Sequence, residues 1–282
     1  MEPVAPVTVV VPYFNAADSI ARALDSVVAQ SVPPAEIVVV DDGSDAEDAQ
    51  RLRRMLASGR YGPVRLIALG ENSGPSAARN AGWDAAGQPF IAFLDADDSW
   101  HPEKLQRQLD LFRLHPEASL IAHRGAVQAG SGRLEARLDV EPVIRRVTPI
   151  RLILRNQFGT PAVMIRSSVR ARFDERVRYA EDRDLWMRLL VSGELVLVSS
   201  DQLAVYHKAL YGAGGLSAQL WRMEKGELAV YWRLARARAI SPALLVLAGA
   251  LSLAKHARRL AIVAARTARR SGPDSLASAR GG

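Results

Sequence analysis

The stretch FIAFLDADDSW, residues 90–100, changes character at its midpoint. Five apolar residues read as a buried strand. Asp95, Asp97 and Asp98 then follow within four positions. Carboxylates that close raise each other's ionisation cost unless positive charge sits among them. Two readings compete. Asp98 or Ser99 can cap a helix near Pro102, as Asp and Ser commonly do. That leaves Asp95 and Asp97 unexplained. Carboxylates two positions apart on a turn can both face a hard divalent cation, and Mg²⁺ takes one or two of them together with phosphate oxygens. The second reading predicts a metal–diphosphate site.

The residues before this stretch say what it belongs to. Val7–Val11 is a β-branched strand. Asn15 and Asp18 predict a helix start, with Ile20, Leu24, Val27 and Val28 at helical spacing. Glu36–Val40 is a second strand and stops at Asp41-Asp42-Gly43-Ser44. A helix carrying Leu52, Met55 and Leu56 follows, then the strand Val64–Leu69, a turn at Asn72–Pro75 and a small-residue helix from Ser76 to about Ala86. Strands and helices alternate as far as Leu94, which predicts an α/β fold with a mostly parallel sheet and right-handed crossovers. Ligands of such sheets bind beyond the carboxyl ends of the strands. Pro12-Tyr13-Phe14-Asn15, Asp41-Asp42-Gly43-Ser44 and Asp95-Ala96-Asp97-Asp98 would gather there as one acidic edge. Asp-Gly alone is only a common turn; its place after a buried strand makes it more telling.

Downstream, the pattern predicts a helix near Pro102–Leu114, a strand near Leu120, loops and short antiparallel strands over 124–148, a strand at Val163–Ile165, a helix at Glu181–Val191 and a strand at Leu195–Val198.

Composition narrows the function classes. With 282 residues and 49% hydrophobic content the chain can bury a sizeable core. It has no cysteine, so thiol catalysis, disulfides and Cys-ligated zinc are excluded. The N-terminus has no basic region and no leader-length apolar run, which predicts a cytoplasmic protein. The net charge of +7 is uneven: residues 218–282 hold twelve Lys/Arg against three Asp/Glu, so the remainder is close to neutral. Such asymmetry points to an anionic surface, membrane or nucleic acid. Residues 218–270 read as a helical extension, and residues 271–282 as a disordered tail. Sixteen uncharged residues, 239–254, lie just under the ~17–20 that a membrane span needs, which leaves a span open without favouring it. Beyond them Lys255, Arg258, Arg259, Arg266, Arg269 and Arg270 share one helix face, with Ala257, Leu260, Val263, Ala264 and Ala268 outside it and Ile262 as the exception. That pattern suits an interfacial helix on anionic lipid or a solvated helix docked on its own domain. The acidic edge and the lack of interleaved aromatics argue against nucleic acid.

Taken together, VVVPYFNAADSIARALDSVVAQ (9–30), EIVVVDDGS (36–44), NSGPSAARNAG (72–82), FLDADDSW (93–100) and AEDRDLWMRLL (180–190) resemble the family 2 glycosyltransferases of bacterial type, in order and spacing. The resemblance covers about residues 5–217. It implies a GT-A fold over residues 1–217, with a nucleotide-binding half (1–100) and an acceptor half (101–217). It also implies inverting transfer of a sugar from a nucleotide-sugar, a UDP-sugar by preference, with Mg²⁺ or Mn²⁺. The acceptor would be a hydroxyl of a glycan, lipid-linked, in cell-surface polysaccharide synthesis, with the enzyme peripheral on the inner membrane face.

Residue by residue, the resemblance implies that Pro12, Tyr13 and Asn15 line the nucleoside pocket. Asp41 accepts from the base, and Arg79 lies near the ribose or diphosphate. Asp97 is the favoured metal ligand, with Asp95 nearer the ribose. Arg79 could equally be a helix-surface ion pair. Asp182 matches the carboxylate that takes the acceptor's proton, although Glu181, Asp182 and Asp184 could also merely complement a helix dipole. The family often has Tyr-Arg where this chain has Tyr206-His207-Lys208. His207 could ligate the metal, Lys208 could meet the phosphates, and Gly212–Gly215 could close over the donor. Gln157, Phe158, Gly159, Thr160 and Pro161 would face the acceptor. Two other readings remain: transfer onto polyprenyl phosphate, and non-catalytic nucleotide-sugar binding.

Overall fold

A computed structural model describes residues 4–128, 138–155, 157–207 and 220–270. The chain divides into two compact units, Met1–Ala209 and Leu210–Gly282.

The first unit is built on a nine-stranded sheet. β1 (Ala5–Tyr13), β2 (Pro34–Asp41), β3 (Val64–Ala68) and β4 (Phe90–Phe93) are parallel, in the spatial order β3-β2-β1-β4. Val9, Val10, Val11, Val38, Val39 and Val40 have no exposed surface. Helices cover both faces of such a sheet, which is why these strands read as unbroken apolar runs. The connecting helices are α1 (Ile20–Val28), α2 (Ala46–Ala57) and α3 (Pro75–Asp84). The small residues of α3 have a purpose. A Cβ on Gly82 would lie 2.3 Å from Val10 Cγ1, so only glycine lets the helix lie this close to the sheet.

Beyond β4 the sheet becomes mixed. β8 (Val163–Arg166) runs antiparallel to β4 and to β6 (Leu120–Val127). β9 (Val196–Tyr206) is parallel to β6, while β5 (Asp98–Trp100) and β7 (Ile144–Arg146) pair antiparallel with β9. The sheet is thus mostly parallel: β3, β2, β1, β4, β6 and β9 share a direction that β8, β5 and β7 oppose. The helices of this half are α4 (Lys104–Leu114), α5 (Pro149–Leu154) and α6 (Glu181–Val191), with a 3₁₀ turn at Thr160–Ala162.

Three local expectations change. Asp98 and Ser99 cap no helix: they lie in β5, opposite Tyr206 and Val205, and α4 starts behind Glu103. Asn15 does not cap α1. It sits at φ +45°, donates its N–H to Ser44 Oγ and accepts from the Asp45 N–H, tying the β1 loop to the β2 loop. The last strand is far longer than Leu195–Val198. Its polar residues Ser199 and Asp201 interrupt the apolar run, yet they are buried and bonded to each other, and Asp201 also meets Arg107. Residues 124–148 likewise hold the end of β6, which is parallel to β9, besides the short antiparallel β7.

The second unit contains α7 (Leu220–Arg236) and α8 (Pro242–Arg270). Beside buried Val230, Tyr231, Leu234, Ile240 and Ala248, its interior holds a polar cluster: Arg259 pairs with Glu227 at 2.7 Å and lies 3.7 Å from Glu224, and Ser252 donates to Glu227. Arg259 therefore leaves the basic face on which its spacing places it. Exposed residues include Trp221, Trp232, Leu247, Leu253 and Leu260. Among the described residues no helix is long and apolar enough to cross a membrane. Lys208, Gly212–Gly215 and the tail from Ser271 lie outside the described residues.

Candidate active site

The carboxyl ends of β1, β2 and β4 carry the three loops that the sequence brings to one edge. At the β2 loop, Asp41 Oδ1 accepts the Ser44 N–H at 3.0 Å. Asp42 accepts the N–H groups of Ser73 and Gly74, both at 2.8 Å, at the start of α3. Burial nonetheless holds its carboxyl above the usual range, with Asp41 adding to the effect. Gly43 lies at φ +72°, and a Cβ there would sit 2.4 Å from the Glu71 backbone, so the crossing of the two loops requires glycine. On the β1 loop Pro12 is half-buried and Asn15 exposed. Tyr13 is buried and its hydroxyl donates to Asp48 of α2, so this side chain braces the loop from below. Phe14, at 47% exposed, is the apolar surface that this loop offers instead.

α3 carries Arg79 to the centre of the site. The guanidinium is buried and bridges two carboxylates, donating from Nη2 to Asp95 at 2.8 Å and from Nη1 to Glu181 at 3.1 Å. Its face lies 5.4 Å from the Phe173 ring. Burial opposes its charge, but Asp95 and Glu181 more than offset this and raise its pKa further. One cation thus joins the loop after β4 to the start of α6. Glu181 is held above the ordinary carboxylate range by burial, which Arg79 only partly counters. Asp182 is half-buried beside it and accepts the Arg183 N–H at 2.6 Å. Asp184, which suggested a dipole role for all three acids, pairs with Arg188 within its own helix at 2.8 Å.

The remaining carboxylates explain how the acidic turn tolerates itself. Asp98 is buried, and burial together with Asp95 and Asp97 pushes its carboxyl up to about 8. This favours the protonated form of Asp98. Arg22 of α1 donates to the Asp97 carbonyl at 2.8 Å. Because β5 pairs with β9, His207 arrives at the same turn: its Nε2 is 2.7 Å from Ser99 Oγ. Burial, followed by Arg22, lowers its pKa, keeping the ring neutral and fit to be a ligand. Tyr206, one residue earlier, fills space that only glycines leave. A Cβ on Gly125 would meet its ring at 2.1 Å, and one on Gly159 would lie 3.0 Å from its hydroxyl. That hydroxyl accepts the Gly159 N–H and lies in the field of Asp98, Asp95 and Asp182.

The structure thus brings Arg79, Asp95, Glu181 and Asp182 together, and sets His207 beside the Asp97-Asp98 turn. Asp41 and Asn15 form a separate group, linked to the rest through Asp42 and α3. Of the residues expected to face an acceptor, Gln157 and Gly159 keep surface, while Phe158, Thr160 and Pro161 are buried. Arg22 gave no sequence signal, since a charged residue on an amphipathic helix reads as solvated. Among the described residues no three His, Cys, Asp or Glu side chains converge as a ready-made metal cage. Asp97 and His207, at one crowded acidic turn, are residues that could hold an ion together with phosphate oxygens.

Comparison with known proteins agrees with this geometry. The family model for glycosyl transferase family 2 matches residues 8–174. The chain is 33% identical over 215 residues to the amylovoran biosynthesis glycosyltransferase AmsB of Erwinia amylovora, covering 71% of this chain and 69% of that one. It is also 33% identical over 221 residues to the succinoglycan biosynthesis protein ExoO of Rhizobium meliloti, covering 73% and 62%. In fold it is similar to S. aureus TarS residues 1–349 in complex with UDP-GlcNAc, with TM-score 0.67, 22% identity and coverage of 89% and 72%. The mannosyltransferase PcManGT of Pyrobaculum calidifontis, in complex with GDP-Man and Mn²⁺, superposes with TM-score 0.63, 18% identity and coverage of 95% and 81%. A GT-A sheet, an acidic turn tied through Arg79 to the start of α6, and a family match over more than half its length place this chain in glycosyl transferase family 2.

Proposed function

We propose that the protein moves a sugar from a UDP-sugar to a hydroxyl of a lipid-linked glycan, inverting the anomeric centre, during synthesis of a cell-surface polysaccharide. The observation that carries this reading is the Arg79 bridge. It holds the first carboxylate of the donor turn and the Glu181-Asp182 pair on the two ends of one guanidinium. Donor and proton acceptor are then placed across a single rigid element, which is the positioning that a transfer reaction needs.

Asp41 has one carboxylate oxygen on the Ser44 N–H and offers the other to the uracil N3–H. Pro12 and Asn15 flank the base, and Tyr13 supports their loop. Asp97, with His207, would hold Mg²⁺ or Mn²⁺, and Asp95, fixed by Arg79, would stand nearer the ribose. The bound ion would supply positive charge to the diphosphate as it leaves. Asp182 takes the acceptor's proton as its oxygen attacks C1 from the face opposite the diphosphate. Relatives named for amylovoran and succinoglycan biosynthesis support the polysaccharide assignment. The TarS complex with UDP-GlcNAc supports the choice of UDP. Attachment to the inner face of an anionic membrane rests on the second unit, where exposed Trp221, Trp232, Leu253 and Leu260 accompany an excess of basic residues.

Calorimetric titration with UDP, with and without Mn²⁺, tests the donor site. Binding should need the metal and should disappear in Asp97→Ala. Metal-independent binding, or GDP binding in preference to UDP, would refute the assignment. Asp182→Asn should lower kcat by about 10²–10⁴-fold while UDP binding stays intact. Unchanged kcat would remove Asp182 as the base.

A further inference from the structure

A cavity lies away from the donor loops, between β6, β7 and β9. It measures about 280 Å³, with Arg124, Arg145, Asp139, Gln157, Ser199 and Gln202 on its walls. That is the small end of the range for ligand pockets and suits one sugar unit rather than a nucleotide-sugar. Arg124 and Gln202 are side by side in the β6–β9 ladder, and Arg145 enters from β7, paired opposite Val198. Both arginines are exposed. Asp139, the one carboxylate of the lining, already accepts from Ser200 Oγ at 2.5 Å. Two guanidinium groups against one engaged carboxylate leave the cavity positive. The amides of Gln157 and Gln202 complete it, groups that bind sugar hydroxyls.

Its position gives the cavity a role. Gln157 lies two residues before Gly159, whose N–H meets the Tyr206 hydroxyl in the field of Asp182. Arg124 and Gln202 also stand in the same β6–β9 ladder as Tyr206, which pairs with Asp98 at the acidic turn, so the cavity lies along the strand that leads to the candidate active site. We propose that it is an acceptor subsite for an anionic sugar residue, one bearing a carboxylate or a phosphate, bound by Arg124 and Arg145. This rests on the transferase reading of the same chain. A planar guanidinium recognises either oxyanion through paired N–H donors, and the sugar's hydroxyls would meet Gln157 and Gln202. Anchoring an acidic residue of the growing glycan there would let the enzyme select its acceptor by charge.

The test uses the full chain saturated with UDP and Mn²⁺, so that no sugar phosphate can enter the diphosphate site. Methyl β-D-glucuronide, glucose 6-phosphate, methyl β-D-glucoside and inorganic phosphate are titrated by saturation-transfer NMR. At least one anionic sugar should bind about tenfold tighter than the glucoside, and which one does so identifies the group. Arg124→Ala and Arg145→Ala should each remove that preference, and Arg145→Lys should recover only part of it. Equal binding of all sugars, no binding, inorganic phosphate matching the sugar phosphate, or a preference that survives both substitutions would each overturn the proposal. The UDP signals in the same samples report the donor site separately, so loss of UDP binding is distinguishable from failure of the subsite.

Discussion

Two acidic loops of nearly equal composition do opposite work in this molecule. In Asp41-Asp42-Gly43-Ser44 the carboxylates accept backbone N–H groups: Asp41 from Ser44, Asp42 from Ser73 and Gly74. In Asp95-Ala96-Asp97-Asp98 they face side chains and one another. Asp95 meets Arg79, and Asp98 is driven up to about 8 by burial and by its two neighbours. The first loop is largely satisfied before any ligand arrives and holds α3 in place. The second keeps an electrostatic imbalance that a cation and a diphosphate would resolve. Acidic residues after a strand therefore do not by themselves mark a metal site. The partners of each carboxylate separate scaffold from chemistry.

Substitutions should divide along this line. The largest effect is expected at the second loop. Asp97→Asn should cut kcat/KM by about 10²-fold or more, in keeping with the several kcal/mol that metal-assisted charge stabilisation contributes, while thermal stability holds or rises. A fall in stability without a fall in activity would reverse the roles of the two loops.

Next in size are changes to the first loop. Asp42→Ala leaves two N–H groups at the start of α3 without their acceptor, which costs about 1–3 kcal/mol. Gly43→Ala forces a side chain into a left-handed conformation and against the Glu71 backbone, and a loss of similar size is expected. Urea denaturation measures both, and catalysis per folded molecule should change less than in Asp97→Asn. Retained stability in both variants would show that the loop crossing carries no load.

The smallest effect is a slope. Asp98 binds its proton more tightly folded than unfolded, so between pH 4 and about 8 the native state holds more protons. The Asp98 contribution to stability should therefore fall as pH rises through that window, by no more than about 1.4 kcal/mol per unit, against the opposite slope of buried His123, whose ring is held down to about 3. The difference between wild type and Asp98→Asn isolates the Asp98 part. Mn²⁺ with UDP should shrink that difference, since added positive charge favours the carboxylate. Wild-type and Asp98→Asn profiles that run parallel across this window would mean that Asp98 is ionised throughout.

Much of this was legible in the sequence. The alternation of β-branched runs with periodic helices specified the parallel half of the sheet, because strands covered on both faces must be apolar throughout. The acidic loops were placed at one edge by topology alone, since parallel strands all end on the same side. Where the backbone pairs across long distances, the reading failed. Asp98 and Ser99 look like a helix cap, but β9 arrives from more than a hundred residues away and recruits them into a strand. Ser199 and Asp201 look like the end of a strand, yet burial with Arg107 keeps them inside one.

The amino-acid order by itself therefore determined the layer architecture and the list of chemically able residues, because hydrophobic period and turn chemistry are local properties. Tertiary structure alone decided what those residues face. Arg79 could have met a phosphate or an exposed acid, and only the tertiary arrangement of α3, the loop after β4 and the start of α6 set it between Asp95 and Glu181. His207 reached the acidic turn through the β5–β9 pairing, and Arg124 and Arg145 came to share a cavity through the ladders of β9. Side-chain partners separated by tens of residues depend on how the strands order themselves in space, and no local pattern carries that information.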